Sequence, residues 1–462
     1  MLVNTTINSR LVKSASSEAR SAARGVERAY FYLFLLFIFI LPLWPNYVEM
    51  KFSGLPNLAP DRLLRILLSL GFIWIFFTNS ESVKLLKERL RQNKFLTWII
   101  ILYFLIRCSS SILSADSITQ LKNYIFRTDL VIALPVYFFA LLAVNNKNNL
   151  NRILIAIVIS GVISSIVSVI EFQQASNVFA QFISVNNDYQ MSILLDKSRD
   201  NIYRAQGTFE HPILLGQFFV LILPFIWVLL RDSRKNSHVF FYLMAGLTSI
   251  YSVYISGSRA ALGLTLLALI FIGLWEMYAW IKTSSNRILQ YLAISQLPIL
   301  LSGAVAVLYA YKDTALGTTR ETLGSTNARY DMLAGGLQKF FESPIYGHGL
   351  GEGIEVFSLV GREGIRTLDN YYLLLGLESG IFAPLLLILI FIVGAFSIGR
   401  VSRPENISRA RLKAAFSISI ILYFFEMAFH SLSHQMWIVL LICALGIVSR
   451  EDENLKLNKI SN

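Results

Sequence analysis

The chain has 462 residues, 55% of them hydrophobic and only 15% charged, with a mean hydropathy of +0.57. A soluble domain carries about a quarter charged residues. A soluble enzyme, a coiled coil, a disordered chain and a nucleic-acid-binding module are therefore excluded, and the net charge of +12 becomes a question of where the charges sit. The chain reads as a polytopic membrane protein. Its two cysteines, Cys108 and Cys443, both fall inside apolar runs, which leaves no disulfide framework and no zinc site.

In chain order, residues 1–29 form a basic tail in which Arg10, Lys13, Arg20, Arg24 and Arg28 stand among Ser and Ala, interrupted by Glu18 and Glu27. No small-residue cleavage site follows the apolar run Tyr30–Trp44, so the tail is read as an interfacial segment that fixes topology and not as a removable signal. A spanning helix needs about 20 predominantly apolar residues. Twelve such runs follow, at 30–48, 62–78, 95–113, 123–144, 153–172, 212–230, 238–255, 260–281, 288–311, 371–399, 414–430 and 434–449. Pro135, Pro224, Pro298 and Pro384 lie inside runs and predict kinks, because neighbouring helices and waters can satisfy the freed backbone groups.

The distribution of charge tests this count. With the N-terminus in the cytoplasm, the cytoplasmic segments hold 25 of the 41 basic residues and 9 of the 29 acidic ones. The balance is +16 there and −4 in the rest of the chain, and the alternation holds at every loop. Both ends are expected in the cytoplasm, the second ending in a tail at 450–462.

Two connections on the opposite face are long, 173–211 and 312–370, and long loops in a compact protein are usually functional. In the second, Tyr330, Leu333, Leu337, Phe340 and Phe341 recur at helical spacing. That spacing predicts an amphipathic helix on the membrane surface with Arg329 near its start. It ends at Ser343-Pro344, before the turn Gly347-His348-Gly349-Leu350-Gly351. No Lys-Ser/Thr follows these glycines and no strand precedes them, so a nucleotide P-loop is a poor fit. Asp-x-Asp does not occur, and His430 and His434 straddle a span end and a short loop, so neither a metal–nucleotide site nor a metal cluster is expected.

What remains on the outer side is a set of arginines. Arg204 precedes a span in Arg204-Ala-Gln-Gly-Thr-Phe-Glu-His211-Pro212, and Arg259 sits in the turn Ser256-Gly-Ser-Arg259 between two spans. Arg329 and Arg366 lie in the large loop. Charge this close to hydrocarbon is costly unless a partner or an aqueous cavity receives it. A guanidinium is permanently charged and matches two phosphate oxygens at once. Several converging at the membrane surface would suit a lipid-linked pyrophosphate; the alternative for each is an ion pair or a headgroup anchor. Within the first four spans, Arg107 and Arg127, with Asp129, read either as structural pairs or as an extension of such a site.

Four segments taken in order resemble the O-antigen ligase and O-antigen/exopolysaccharide polymerase superfamily of bacterial inner-membrane proteins. They are Arg204-x-x-Gly207-Thr-Phe-x-His-Pro; Ser-Arg259-Ala; Arg329 leading through an amphipathic stretch to Pro344-x-x-Gly347-x-Gly349; and Asp369-Asn370-x-Tyr372-Leu373 continuing to Glu378-x-Gly380. The resemblance covers 200–385, framed by N-terminal helices at 30–199 and C-terminal helices at 386–449. It implies an all-α bundle of about twelve spans, a C-type glycosyltransferase architecture and a periplasmic catalytic cavity. It also implies a donor glycan on undecaprenyl pyrophosphate, an acceptor that is another glycan or a lipid A core, contact with other polysaccharide assembly proteins, and no cofactor.

Carried onto this chain, the resemblance makes Arg204, Arg259 and Arg329 the pyrophosphate ligands, which would neutralise the leaving group without a metal. Asp369 and His348 become the candidates for general base. His211, Arg366, Asn370 and Glu378 become candidate cavity-lining residues. Ligases commonly show His-Asn where this chain has Asp369-Asn370, and that departure favours a polymerase over a ligase. Asp369 is equally read as the N-cap of a helix beginning near Tyr371, Glu378 as a buried structural carboxyl, and His211 as part of the loop-to-span turn. A transporter of a small anion or of the lipid-linked glycan is the rival from another class. It would favour internal repeats, and none is visible.

Overall fold

The computed structural model describes residues 25–45, 47–48, 59–127, 129–183, 198–199, 201–283, 320–360, 366–399, 407–432 and 435–460. The basic tail up to Arg24, the expected span at 288–311 with Pro298, the side chains of Arg127 and Asp129, and His434 lie outside these descriptions.

Among the described residues the architecture is helical apart from one antiparallel ladder of two short strands, β1 (Leu359–Val360) and β2 (Arg366–Thr367), and an isolated bridge between Arg199 and Ile202. Helix α1 runs over 25–40. Pro60 at the first turn, where its missing N–H costs nothing, opens α2 (Pro60–Thr78). The Asn79 side chain accepts from Ser82 N and starts α3 (Ser80–Gln92), bent by 104° from α2. There follow α4 (Lys94–Ser109), α5 (Ser117–Arg127), α6 (Asp129–Ala143) and α7 (Lys147–Gln174), the last capped by Asn146 and ended by Ala175 in the left-handed region at φ 49°.

The second half holds α8 (Pro212–Asp232), α9 (Asn236–Ile255), α10 (Arg259–Thr283) and α11 (Arg320–Phe340). It ends with α12 (Tyr371–Ser379), α13 (Phe382–Gly399), α14 (Ile407–Glu426) and α15 (Met436–Ile460). Helix α8 is the axis of the fold: it packs against α7, α9, α10 and α14, and Phe218, Phe219 and Phe225 are wholly buried along it. A helix apolar on every face belongs in the centre of a bundle. On the periphery, Trp74, Phe77, Phe95, Trp98 and Phe396 are exposed, as expected where the solvent is lipid.

By length and composition, six helices among the described residues can cross a membrane, or seven if the bent α2–α3 pair is one span. They match the expected runs at 95–113, 123–144, 153–172, 212–230, 238–255 and 260–281. The expected run at 371–399 is not one helix. It breaks between Ser379 and Phe382, where Gly380 takes φ +67° and a Cβ would run into the Ile345 carbonyl oxygen. Ile381 N donates to the Pro344 carbonyl at 2.8 Å, so the end of the large loop is hydrogen-bonded into the break. The shorter apolar stretches Phe382–Ile398 and Met436–Arg450 complete the bundle.

The expected amphipathic helix is present as α11, but it begins at Arg320, so Arg329 lies in its middle and not near its start. Met332 is buried and Gly336 lies against Leu373 of α12, while Tyr330, Leu333, Leu337 and Phe341 are exposed. The apolar stripe thus faces outward and the small-residue face meets the bundle.

Candidate functional site

Arg204 is fixed from two sides. The loop that carries it pairs Ala205 N with the Ile255 carbonyl at 3.0 Å, at the end of α9. Its Nε donates to the Ser256 carbonyl at 2.9 Å, and its aliphatic stem lies on Gly257, where a Cβ would come within 2.9 Å of Cγ. From the other side, Glu171 near the end of α7 receives the loop: Oε1 accepts from Tyr203 OH at 2.8 Å and Gln206 N at 3.2 Å, and Oε2 accepts from Gly207 N. Gly207 holds φ +58°, and Thr208 Oγ1 donates to the Pro42 carbonyl at 2.7 Å.

The turn Ser256–Ser258 also places Arg259 as the first residue of α10, where unpaired N–H groups and the helix dipole favour anions. Arg199 reaches the same turn, donating to the Gly257 carbonyl at 3.4 Å. Electrostatics joins these groups. The Arg204 guanidinium is pushed down to about 9, chiefly by burial and then by the charges of Arg199, Arg259 and Arg329. At neutral pH it remains a cation, in a place that would welcome an anion.

Arg329, on α11, brings the large loop into this group. Its Nε lies 3.5 Å from Asp369 Oδ2, and each side chain is 30% exposed, so both remain open to solvent on one side. Asp369 is not the cap of α12. Asn370 is: its side-chain oxygen accepts from Leu373 N at 3.0 Å. The carboxylate of Asp369 is thereby left to face Arg329, while its backbone N–H donates to Met332 Sδ at 3.3 Å. Asn370 accordingly serves a structural end rather than a cavity wall.

The other expected site residues have different partners. His348 N donates to the Leu377 carbonyl at 2.7 Å, and its Nε2 lies 3.0 Å from the Lys339 carbonyl. That carbonyl can only accept, so Nε2 carries the proton and Nδ1 is the remaining acceptor. Lys339 is ten residues along α11 from Arg329, a rise of about 15 Å. His348 therefore ties the end of α11 to α12 and is set back from the arginines.

Gly349, at φ +116°, lies so close to the backbone of Leu113 and Ser114 that a Cβ would meet it at 2.7 Å. The glycine turn is a packing device between the large loop and the end of α4. Glu378 is buried and forms an ion pair with Arg107 Nη1 at 2.6 Å, and that nitrogen also donates to Ser379 Oγ at 2.8 Å. This resolves the choice for Arg107 in favour of a structural pair. Arg366, on β2, pairs with the exposed Glu355. His211 is the N-cap of α8, its Nδ1 accepting from Ile213 N at 3.1 Å.

Glu171 and Arg199 take part in this arrangement without having been singled out from the sequence. Glu171 had a visible signal, as an acid within the apolar run of α7, adjacent to no basic residue. Arg199 had none beyond its place in a long loop. Among the described residues no group of three or more His, Cys, Asp or Glu side chains could hold a metal ion.

Residues 244–388 match the family model Wzy_C, described as O-antigen ligase. The match takes in Arg259, Arg329, His348 and Asp369 and begins after the Arg204 segment. No curated protein matches the chain significantly. This stretch, about a third of the chain, is thus similar to the O-antigen ligase family.

Proposed function

We propose that the protein is a polysaccharide polymerase of the inner membrane, moving a glycan from undecaprenyl pyrophosphate onto a sugar hydroxyl of another repeat unit at the periplasmic face. The observation that supports this reading most is the Arg204 side chain bound to the turn that opens α10 at Arg259, within the electrostatic influence of Arg329, which lies beside Asp369. The charge balance of the loops supports an orientation with both termini in the cytoplasm and 312–370 in the periplasm.

In this mechanism the arginines receive the pyrophosphate in bidentate fashion. As the bond between the sugar and the pyrophosphate breaks, negative charge grows on the leaving group, and guanidiniums already in place stabilise it without reorganising. Asp369 accepts the proton of the incoming hydroxyl, and the new glycosidic bond forms with inversion. Arriving pyrophosphate competes with Asp369 for Arg329, so donor binding loosens the base from its ion pair as it is needed. Asp369 in place of a histidine favours the polymerase over transfer to a lipid A core.

The test is reconstitution in lipid with undecaprenyl-pyrophosphate-linked repeat units, reading product length on a gel. A ladder of longer glycans that disappears in Arg204→Ala and Arg329→Ala is expected. Transfer only when lipid A core is supplied would replace the polymerase by a ligase. Neither product from an authentic donor, with uptake of anion or lipid-linked glycan into vesicles, would move the chain to the transporters.

A further inference from the structure

Arg204 and the three guanidiniums that act on it, those of Arg199, Arg259 and Arg329, repel one another, and a loop carrying one of them needs something to hold it there. Arg204 has its Nε on the Ser256 carbonyl, which fixes one end of the side chain. The backbone behind it is held by a different element. Both oxygens of Glu171, wholly buried on α7, accept from this loop: from Tyr203 OH and Gln206 N on one oxygen, and from Gly207 N on the other. These donors stand immediately before and just after Arg204 in the chain, so the carboxylate grips the loop on both sides of it. Ala205 N is at the same time bound to the Ile255 carbonyl, so the loop is stretched between α7 and the end of α9.

We infer that Glu171 is the positioning residue of the anion site: it touches no substrate and acts through Arg204, holding that guanidinium within the cluster against the repulsion of Arg199, Arg259 and Arg329. Its geometry makes the requirement specific. Three donors converge on two oxygens, which a carboxylate accepts without conflict. A glutamine offers one oxygen and one NH2, and in either orientation the NH2 would face a backbone N–H, of Gln206 or of Gly207, that cannot accept. Removing Glu171 therefore costs the loop more than one hydrogen bond, although the side chain it serves stays in the protein. The inference rests on the reading of Arg204 as a pyrophosphate ligand.

Two measurements on the full-length protein in lipid nanodiscs test it. The first needs no ligand: hydrogen–deuterium exchange of wild type and Glu171→Gln. Faster exchange across 203–208, with α8 and α10 unchanged, is expected; unchanged exchange there overturns the inference. The second is binding of undecaprenyl pyrophosphate to wild type, Glu171→Gln, Glu171→Asp, Arg204→Ala and the double variant Glu171→Gln/Arg204→Ala. Glu171→Gln should weaken binding about tenfold or more, since small misplacements of a positioned group are costly. Glu171→Asp should recover part of the loss.

The double variant should bind no more weakly than Arg204→Ala alone, because Glu171 acts only through Arg204. A merely structural carboxylate would instead add its own loss, and that additive result would overturn the inference. If wild type binds no undecaprenyl pyrophosphate, the functional reading fails by itself, and the exchange measurement still decides whether Glu171 holds the Arg204 loop.

Discussion

At the scale of single residues, the decisive exchange is between Asp369 and Asn370. The sequence Asp369-Asn370 before a helix offers two good caps, and both side chains can accept from an N–H two or three residues on. The structure gives the cap to Asn370 and leaves Asp369 beside Arg329. Asp369→Asn should therefore reduce glycan transfer by about 10²-fold or more, while donor binding is kept or tightened because Arg329 loses its internal rival. Transfer near the wild-type rate would remove Asp369 from the mechanism.

Arg259→Lys separates charge from shape: a lysine keeps the cation but loses the planar fork. Transfer is expected to fall about 10²-fold, with the protein still folded and monodisperse on gel filtration; near-normal polymer yield would mean that a point charge suffices. Arg204 and Arg259 stood out in the sequence because charge beside hydrocarbon is conspicuous, whereas Arg199 did not. Glu171 was harder to see, since what gives it a role is the backbone of a loop about thirty residues away, and no local spacing reports that.

At the scale of elements, the apolar pattern located most helices but misjudged one. Residues 371–399 read as a single long span because Ser379 and Ile381, which flank Gly380, are small or apolar and the run is apolar on both sides of Glu378. The break is set by partners from elsewhere, the Pro344 and Ile345 carbonyls, which no local period contains. The amphipathic stretch was the opposite case: Tyr330, Leu333 and Leu337 repeat at helical spacing, and they form the exposed stripe of α11.

The short helix created by the break, α12, is joined to α4 by the buried pair Arg107–Glu378. Breaking such a pair from one side leaves a charge in the interior and costs about 3–5 kcal/mol, while replacing both partners by apolar residues costs far less. Glu378→Leu should thus lower the melting temperature in detergent more than Arg107→Leu/Glu378→Leu does. Equal losses would show that the two side chains do not depend on each other.

At the scale of the molecule, the membrane character of the bundle was legible because it is a property of summed composition, and the charge balance of the loops supplies an expected orientation. The number of crossings was less legible. Helices α13 and α15 have apolar stretches too short to be recognised as full spans, and hydropathy alone does not distinguish a short crossing from a half-buried helix. Orientation can be read directly. In a variant with Cys108 and Cys443 replaced by Ala, a cysteine at Gln338 on α11 should react with an impermeant thiol reagent added outside spheroplasts. A cysteine at Arg91 on α3 should react only after lysis. The reverse pattern would invert the topology and remove the periplasmic site.

The arrangement of like charges has a consequence for the resting enzyme. Arg204 and Arg259 are fixed to the bundle, whereas Arg329 belongs to α11, which reaches the others from the far side of the large loop. With no anion between them, the two bodies push apart; with one, they are drawn together. If the proposed donor binds here, its headgroup makes occupancy the relaxed condition and vacancy the tense one. Under that proposal the protein would pass its lifetime in the membrane loaded, exchanging one phosphate-bearing lipid directly for the next rather than waiting empty between turnovers.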